Sequence, residues 1–414
     1  MGAHLSAFTA RYREGSVSTF SKDVVIVGGC GHVGLPLGLT LADAGCSVVL
    51  CDRDARAVDR VRAGKMPFFE QGADALLEKV LATGRLEASD DPAVVASAEH
   101  VVVVVGTPVD EHLNPDPRYV LGAIEEMLDH LCDGQILILR STVYPGVTAL
   151  VERSLGQAGK AIDVSFCPER IAEGKALVEL LELPQIVSGR SERAVARAEN
   201  LFRRLTDAIV YLDVEEAELA KLFTNTWRYI KFAAANQLYM IANDFGLDFE
   251  RIRTALAHEY PRAADLPGPG LAAGPCLLKD TMQLAAFNNN NFTLGHASMM
   301  INEGLPLYLV ARLEQRFDLS TMTVGILGMA FKGESDDIRS SLSYKLKRLL
   351  RFKADRVLCT DPFVSVDPDL APLDEVLAHS DVLILAAPHR AYKDLVTDVP
   401  VIDMWNLRGQ GVRA

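Results

Sequence analysis

Residues 24–52 constrain this chain more than any other stretch. The apolar run Val24-Val25-Ile26-Val27 leads into Gly29-Cys30-Gly31-His32-Val33-Gly34, an apolar helical pattern over 33–44, a second apolar run over 47–51, and then Asp52. Unbroken apolar runs of this length suit strands buried on both faces, so the segment predicts a parallel β-α-β unit. GxGxxG alone also occurs where a strand and a helix merely pack closely, but here strand, helix and acid fall in register. In that reading Gly29 makes the tight turn, Gly31 lets backbone N–H groups approach a pyrophosphate, and Gly34 allows close helix–strand contact. The helix N-terminus then favours the anion, with His32 and Val33 beside it. Asp52 is placed to accept the adenine-ribose hydroxyls and to repel a 2′-phosphate, which selects NAD over NADP, although the adjacent Arg53 weakens that choice.

Further strands are expected over 100–105, 135–140 and 163–166, with helical patterns between them, so the first 200 or so residues predict a doubly wound sheet. Over 215–244 the pattern changes to one uninterrupted helix without proline or glycine, about 45 Å long and of a kind that bridges domains or packs in a dimer. More helix follows to near Arg312, broken by the Pro/Gly-rich stretch 261–275. Strands are expected again over 323–327, 356–359, 382–386 and 401–404. The fold class expected is α/β, with two Rossmann-like doubly wound domains joined by a long-helix central domain. The boundaries are an N-terminal extension over 1–22, an NAD-binding domain over 23–208, a helical dimerisation domain over 209–315 and a smaller α/β domain over 316–414.

At 414 residues with 49% hydrophobic content the chain is long enough for several cores. The longest apolar run falls far short of the roughly 20 residues that span a bilayer, and the first 20 residues lack the apolar centre of a signal peptide. The expectation is a cytoplasmic protein without a membrane partner. A net charge of −13 disfavours nucleic acid, whose binding needs clustered positive charge. A small anionic substrate remains open, since a few converging Lys and Arg residues suffice for its phosphates. Seven cysteines carry no CxxC pair and no zinc-type spacing, so neither a disulfide framework nor a metal site is expected.

Three segments carry side chains suited to oxidising an alcohol. In Gly274-Pro275-Cys276-Leu277-Leu278-Lys279-Asp280, a helix beginning at Cys276 brings Asp280 onto the same face, and its N-terminus together with Lys279 favours a thiolate. Taken alone, a buried cysteine beside a loop is the commoner reading. On the long helix Lys221 and Asn225 are one turn apart, a pair able to steady an oxyanion, whereas an isolated lysine is more often a solvated edge residue. Glu169 and Glu173, also four apart, offer a base for hydrolysis, and surface glutamates at that spacing are equally common.

Taken together these segments resemble the UDP-glucose/GDP-mannose dehydrogenase family, over about residues 24–406. The resemblance rests on GCGHVGLPLG at the first turn, GTPVDEHLNPD after the third strand, STVYPG at Ser141, CPERIAEG at Cys167, ExxKxxxN from Glu218, GPCLLKD around Cys276 and GMAFKGESDDIRSS from Gly328. ELPQIVSG at Glu182 and KDTMQLAAFNNNNF at Lys279 are similar to the branch acting on UDP-N-acetylhexosamines.

The resemblance implies NAD as cofactor, a nucleotide-diphosphate sugar as substrate, a homodimer, and a four-electron oxidation at C6 through a cysteine thiohemiacetal and thioester. It also implies roles: Cys276 as nucleophile, Lys221 and Asn225 at the oxyanion, and Asp280 in proton transfer and water binding. Glu169 becomes the hydrolytic base with Thr142 orienting water. Glu173, Thr107, Thr142 and Arg339 are implied near the cofactor, and Lys332, Gly274 and Arg262 at the sugar nucleotide, Arg262 reaching a partner subunit. Two other readings stay open. One is a two-electron β-hydroxyacid dehydrogenase of the 6-phosphogluconate type, which has no use for a thiol. The other is a non-catalytic NAD and sugar-nucleotide sensor.

Overall fold

The computed structural model describes residues 20–110 and 116–412. The extension expected over 1–22 lies almost wholly outside these residues, as does the middle of GTPVDEHLNPD. Two compact units make up the chain, one ending at Leu222 and the other beginning at Phe223.

The first unit is built on eight strands: β1 Lys22–Val27, β2 Val48–Cys51, β3 Leu86–Ser89, β4 Ala98–Val103, β5 Ile136–Leu139, β6 Asp163–Phe166, β7 Gln185–Gly189 and β8 Ile209–Tyr211. They lie in the order β3-β2-β1-β4-β5-β6-β7-β8, and only the β6–β7 pairing is antiparallel. The first six strands follow the 3-2-1-4-5-6 order of dinucleotide-binding sheets, whose chain reversal between β1 and β4 leaves a crevice at the strands' carboxyl ends. Alternation sends Val24 and Ile26 to one face, where they join Leu35, Leu37, Leu39 and Leu41 of the Gly34–Asp43 helix. Val25, Val101 and Val103 face the other way, onto Val120, Ile124 and Val147 of the Arg118–Met127 and Val147–Gln157 helices. Each fully buried aliphatic side chain contributes roughly 2 kcal/mol, so both faces hold the sheet and its carboxyl edge is left for ligands.

The long helix runs Val214–Asp244, within a residue of its expected span, and Glu215 and Glu216 in its first turn complement the positive end of its dipole. Its register is tied to the first unit by Glu218. This buried carboxylate accepts hydrogen bonds from the Gly146 amide (2.7 Å), the Thr148 amide (2.9 Å) and Thr148 Oγ1 (2.6 Å).

The second unit contains a four-stranded parallel sheet, β9 Thr323–Leu327, β10 Arg356–Thr360, β11 Val382–Leu385 and β12 Val401–Ile402, in the order β10-β9-β11-β12. Val324, Ile326 and Ile384 on one face share a core with Tyr239 of the long helix, Phe249, and Leu305 and Leu309 of the Thr293–Arg316 helix. Part of the helical segment thus shares its core with this sheet. No helix among the described residues is long and apolar enough to cross a membrane.

Candidate active site

The glycine turn of the first unit divides its labours differently from the expectation. The left-handed residue is Gly28, at φ +78°, so the tight turn belongs to it and not to Gly29. Gly29 serves packing, because a Cβ there would meet Leu50 Cα at 2.8 Å. Gly34 does likewise, since its Cβ would lie 2.4 Å from the Gly28 carbonyl oxygen. At Gly31, by contrast, the nearest protein atom would be 3.7 Å away, so no neighbour in the chain demands a glycine. Its missing side chain clears the turn's outer surface, which fits the close approach of a pyrophosphate to backbone amides. Val33 directly precedes the helix, and the His32 ring stacks on Phe68 at 4.0 Å between centroids. Asp52 accepts hydrogen bonds from the amides of Cys30 (3.0 Å) and Asp54 (3.0 Å), bracing the turn, while Arg53 is exposed.

At the carboxyl end of β4 and β5, Thr107 donates to the Thr142 carbonyl at 2.7 Å, and Ser141 donates to the Val105 carbonyl at 2.8 Å. The residues expected near the cofactor, Thr107 and Thr142, are therefore brought together. Glu173 is half-buried in a loop that Glu70 holds from another part of the chain, its carboxylate accepting from the Gly174 (2.7 Å) and Ala176 (2.8 Å) amides.

Glu169 differs from the free base that its motif suggests. Its side chain is buried, and one oxygen accepts from the Arg170 (2.7 Å) and Ile171 (3.0 Å) amides while the other pairs with the Arg140 guanidinium. Burial pushes the carboxyl up, but Arg140 and the two amides outweigh it and hold the group below the usual carboxylate range. With both oxygens engaged, the arrangement opposes proton uptake. Arg140 itself is fully buried, 4.6 Å over the Phe202 ring and 3.2 Å from Gln185 Oε1. Sequence reading missed this residue, and the only signal was an arginine closing the apolar run ILIL.

In the second unit Cys276 immediately precedes the Leu277–Phe287 helix, and the Asp280 amide donates to its carbonyl at 2.8 Å. It is the one exposed cysteine of the seven. Burial pushes the thiol of Cys30 up to about 12 and those of Cys51 and Cys359 up to about 11, and raises Cys46 and Cys167 as well, so these stay protonated at neutral pH. Position 276 is thus where an accessible thiol meets the positive end of a helix's peptide dipoles. Asp280, fully buried, accepts from Asn225 Nδ2 at 2.5 Å. Its other oxygen lies 3.0 Å from Lys279 Nζ, near enough for an ion pair, but accepts no aligned hydrogen bond. Asn225 is held one turn from Lys221, and both are buried.

The strand of chain entering the helix is fixed from two sides. Asn236, on the long helix, donates to the Gly270 carbonyl (3.1 Å) and accepts from its amide (2.9 Å). Gly274, at φ +104°, lies against Phe331, whose ring carbon would be 2.6 Å from a Cβ there. Lys332, the next residue, is half-buried with its ammonium 5.6 Å from the Phe331 ring centre. The loop that carries Lys332 therefore touches the segment that presents Cys276. Arg339 is exposed and clasps Asp337 through Nε (2.9 Å) and Nη2 (2.6 Å). Arg262 is exposed beside Tyr260, donating to its hydroxyl at 3.0 Å.

Comparison with known proteins gives this geometry its frame. The NAD binding domain of the UDP-glucose/GDP-mannose dehydrogenase family matches residues 22–206, its central domain matches 215–303, and its UDP binding domain matches 325–409. The chain belongs to the UDP-glucose/GDP-mannose dehydrogenase family. As a member it is an NAD-dependent oxidoreductase. The UDP-N-acetyl-D-mannosamine dehydrogenase of Pyrococcus horikoshii is 29% identical over 384 residues, 90% of each chain. The NDP-N-acetyl-D-galactosaminuronic acid dehydrogenase of Ralstonia solanacearum is 27% identical over 90% of this chain and 92% of its own. Among solved structures, the UDP-glucose dehydrogenase of Pyrobaculum islandicum superposes with a TM-score of 0.87 at 26% identity, covering 97% of this chain and 98% of that one.

Proposed function

We propose that this dehydrogenase removes four electrons from the C6 hydroxymethyl group of a nucleotide-diphosphate sugar, most closely a UDP-N-acetylhexosamine, and releases the uronate. The observation that carries the reading is the exposed Cys276 at a helix start, with the buried Asp280–Asn225 pair on the turn behind it. A two-electron dehydrogenase has no use for that thiol, and a sensor has no use for either.

The net change is alcohol plus water and two NAD to carboxylic acid, two NADH and two protons, NAD accepting a hydride at each oxidation. Within the chain, Lys221 balances negative charge on the C6 oxygen and Asn225 donates a hydrogen bond to it. The Cys276 sulfur adds to the C6 aldehyde, giving a thiohemiacetal; loss of a second hydride from C6 leaves a thioester, and water then breaks the C–S bond and returns the thiol. Asp280 serves proton transfer and water binding, supported by its oxygen that accepts no aligned hydrogen bond. Glu169, already ion-paired with Arg140, is proposed to anchor the 169–174 loop, a change from the hydrolytic base that the motif implies.

The glycine turn with Asp52, Arg53, Thr107, Thr142 and Glu173 is the proposed NAD side, and Lys332, Gly274 and Arg262 the proposed sugar-nucleotide side; Arg339 is assigned to the cofactor by motif alone. A homodimer is proposed through Phe223, Trp227, Leu238, Ile241 and Phe245, an exposed apolar stripe along one face of the long helix. A reducing cytoplasm is proposed as its compartment, consistent with seven cysteines that form no disulfide. The test is a panel of UDP-, dTDP- and GDP-sugars assayed for NADH. Two equivalents per sugar with one of them support the reading; one equivalent indicates a simple dehydrogenase, and none a sensor.

A further inference from the structure

The second unit holds a buried polar chain that the proposed chemistry does not use. His389, completely buried, follows β11 and lies between Phe363 and Tyr392, with ring centroids at 5.2 and 5.8 Å. Its two nitrogens face different partners. Nδ1 is 3.0 Å from the amide nitrogen of Glu334, and Nε2 is 3.1 Å from Asp361 Oδ2. An amide can only donate, so Nδ1 must be unprotonated and the ring's hydrogen must sit on Nε2, donating to the Asp361 carboxylate.

Both partners belong to one loop system. Asp361, at the end of β10, also accepts from the amides of Met329 (2.7 Å) and Ala330 (2.9 Å), the start of the GMAFKGE segment. Glu334 ends that segment in a left-handed conformation, φ +54°, unusual for a residue with a side chain. Its carboxylate accepts from the Arg390 amide at 2.8 Å, so backbone and side chain are both tied to the 389–390 turn. Between the two ends, Gly333 passes so near Pro388 that a Cβ would lie 2.4 Å from its carbonyl oxygen. Segment 328–334, which carries Lys332 and sets Phe331 against Gly274, is therefore pinned at both ends by Asp361 and His389.

We propose that His389 is a positioning residue for the nucleotide-sugar site: as the Nε2–H tautomer fixed by Asp361, it holds the 328–334 loop in the shape that presents Lys332 to the nucleotide. This rests on reading the C-terminal domain as the nucleotide site. The chemistry recognised is that of a nucleoside diphosphate, and the role is in binding rather than at the reacting carbon.

Two substitutions separate the two ring nitrogens. In His389→Asn the amide oxygen takes the place of Nδ1 and still accepts from Glu334. In His389→Gln the amide nitrogen takes the place of Nε2 and still donates to Asp361, but the Glu334 amide loses its acceptor. Titration calorimetry of full-length protein with UDP should show affinity lowered about tenfold in His389→Gln, the effect of one lost buried hydrogen bond, and within about threefold of wild type in His389→Asn. KM for the nucleotide sugar should follow UDP affinity while kcat moves far less. Equal UDP affinity in wild type and His389→Gln overturns the inference, as does an equal loss in both variants, which marks a merely structural histidine. Wild-type protein that binds no UDP overturns the substrate reading along with it. Should His389→Gln not fold, nitrogen-15 NMR of the wild-type imidazoles decides the tautomer: an unprotonated Nδ1 at neutral pH supports the inference, and a protonated one overturns it.

Discussion

Gly274 lies against the ring of Phe331, where a Cβ would come within 2.6 Å of a ring carbon. This contact joins the segment that presents Cys276 to the loop that carries Lys332, so within the second unit the proposed nucleophile and the proposed nucleotide contact share one mechanical support. Gly274→Ala adds a methyl group to a filled space at a backbone angle that L-residues avoid, a cost of about 2–4 kcal/mol. A lower melting temperature and a kcat reduced at least tenfold are expected. Combining it with Phe331→Ala, which opens the space, should recover part of the stability in a thermal-melt double-mutant cycle; strict additivity would show the contact to be unimportant.

The buried Arg140–Glu169 pair gives a second expectation. Removing one partner leaves an uncompensated charge in the interior, which costs about 3–5 kcal/mol. Arg140→Met should thus unfold at much lower urea, whereas Arg140→Met with Glu169→Leu should be milder than the single substitution. Equilibrium unfolding followed by circular dichroism measures both.

Asp361 links stability to pH. Burial pushes its carboxyl up, but the hydrogen bond from His389 and those from the loop amides prevail and bring it down to about 2, against 3.8 for an unperturbed aspartate. A depressed folded-state value means that the ionised form stabilises the fold. The contribution, about 2 kcal/mol, is complete above pH 4 and drains away as pH falls towards 2. Melting temperatures of wild type should fall over that window, and Asp361→Asn should be less stable at pH 7 and show a shallower acid dependence.

Much of this was legible in the sequence. The 215–244 pattern carries no helix breaker over eight turns and becomes Val214–Asp244, and the apolar run at 323–327 becomes β9 at Thr323–Leu327. Local order of that kind survives because the pattern itself buries a face. β3 and β8 were not legible: LEAS holds a single fully buried apolar residue, Leu86, and Ile209–Tyr211, although apolar, is a strand of only three residues with Val210 and Tyr211 exposed, too short for a period to show. The turn role of Gly28 went unseen because GxGxxG begins one residue later. Arg140 with Glu169, and Asp361 with His389, are separated by 29 and 28 residues and meet only through the sheet, so spacing along the chain holds no trace of them.

The apolar stripe on the long helix predicts assembly. Phe223, Trp227 and Phe245 are 53%, 56% and 78% exposed, more apolar surface on one helix face than a monomer ordinarily leaves in water. Sedimentation velocity should show a dimer for wild type and a monomer for Trp227→Glu with Phe245→Glu. A wild-type monomer with full activity would remove the dimer from the account.

The central claim is that Cys276 carries the sugar between two oxidations, and Cys276→Ser tests it most directly. With NAD and the preferred nucleotide sugar, wild type should yield two NADH and one uronate per sugar consumed. The serine variant should bind NAD unchanged yet release no uronate on the wild-type timescale. Uronate released by Cys276→Ser at near wild-type rate, with two NADH formed, would contradict it.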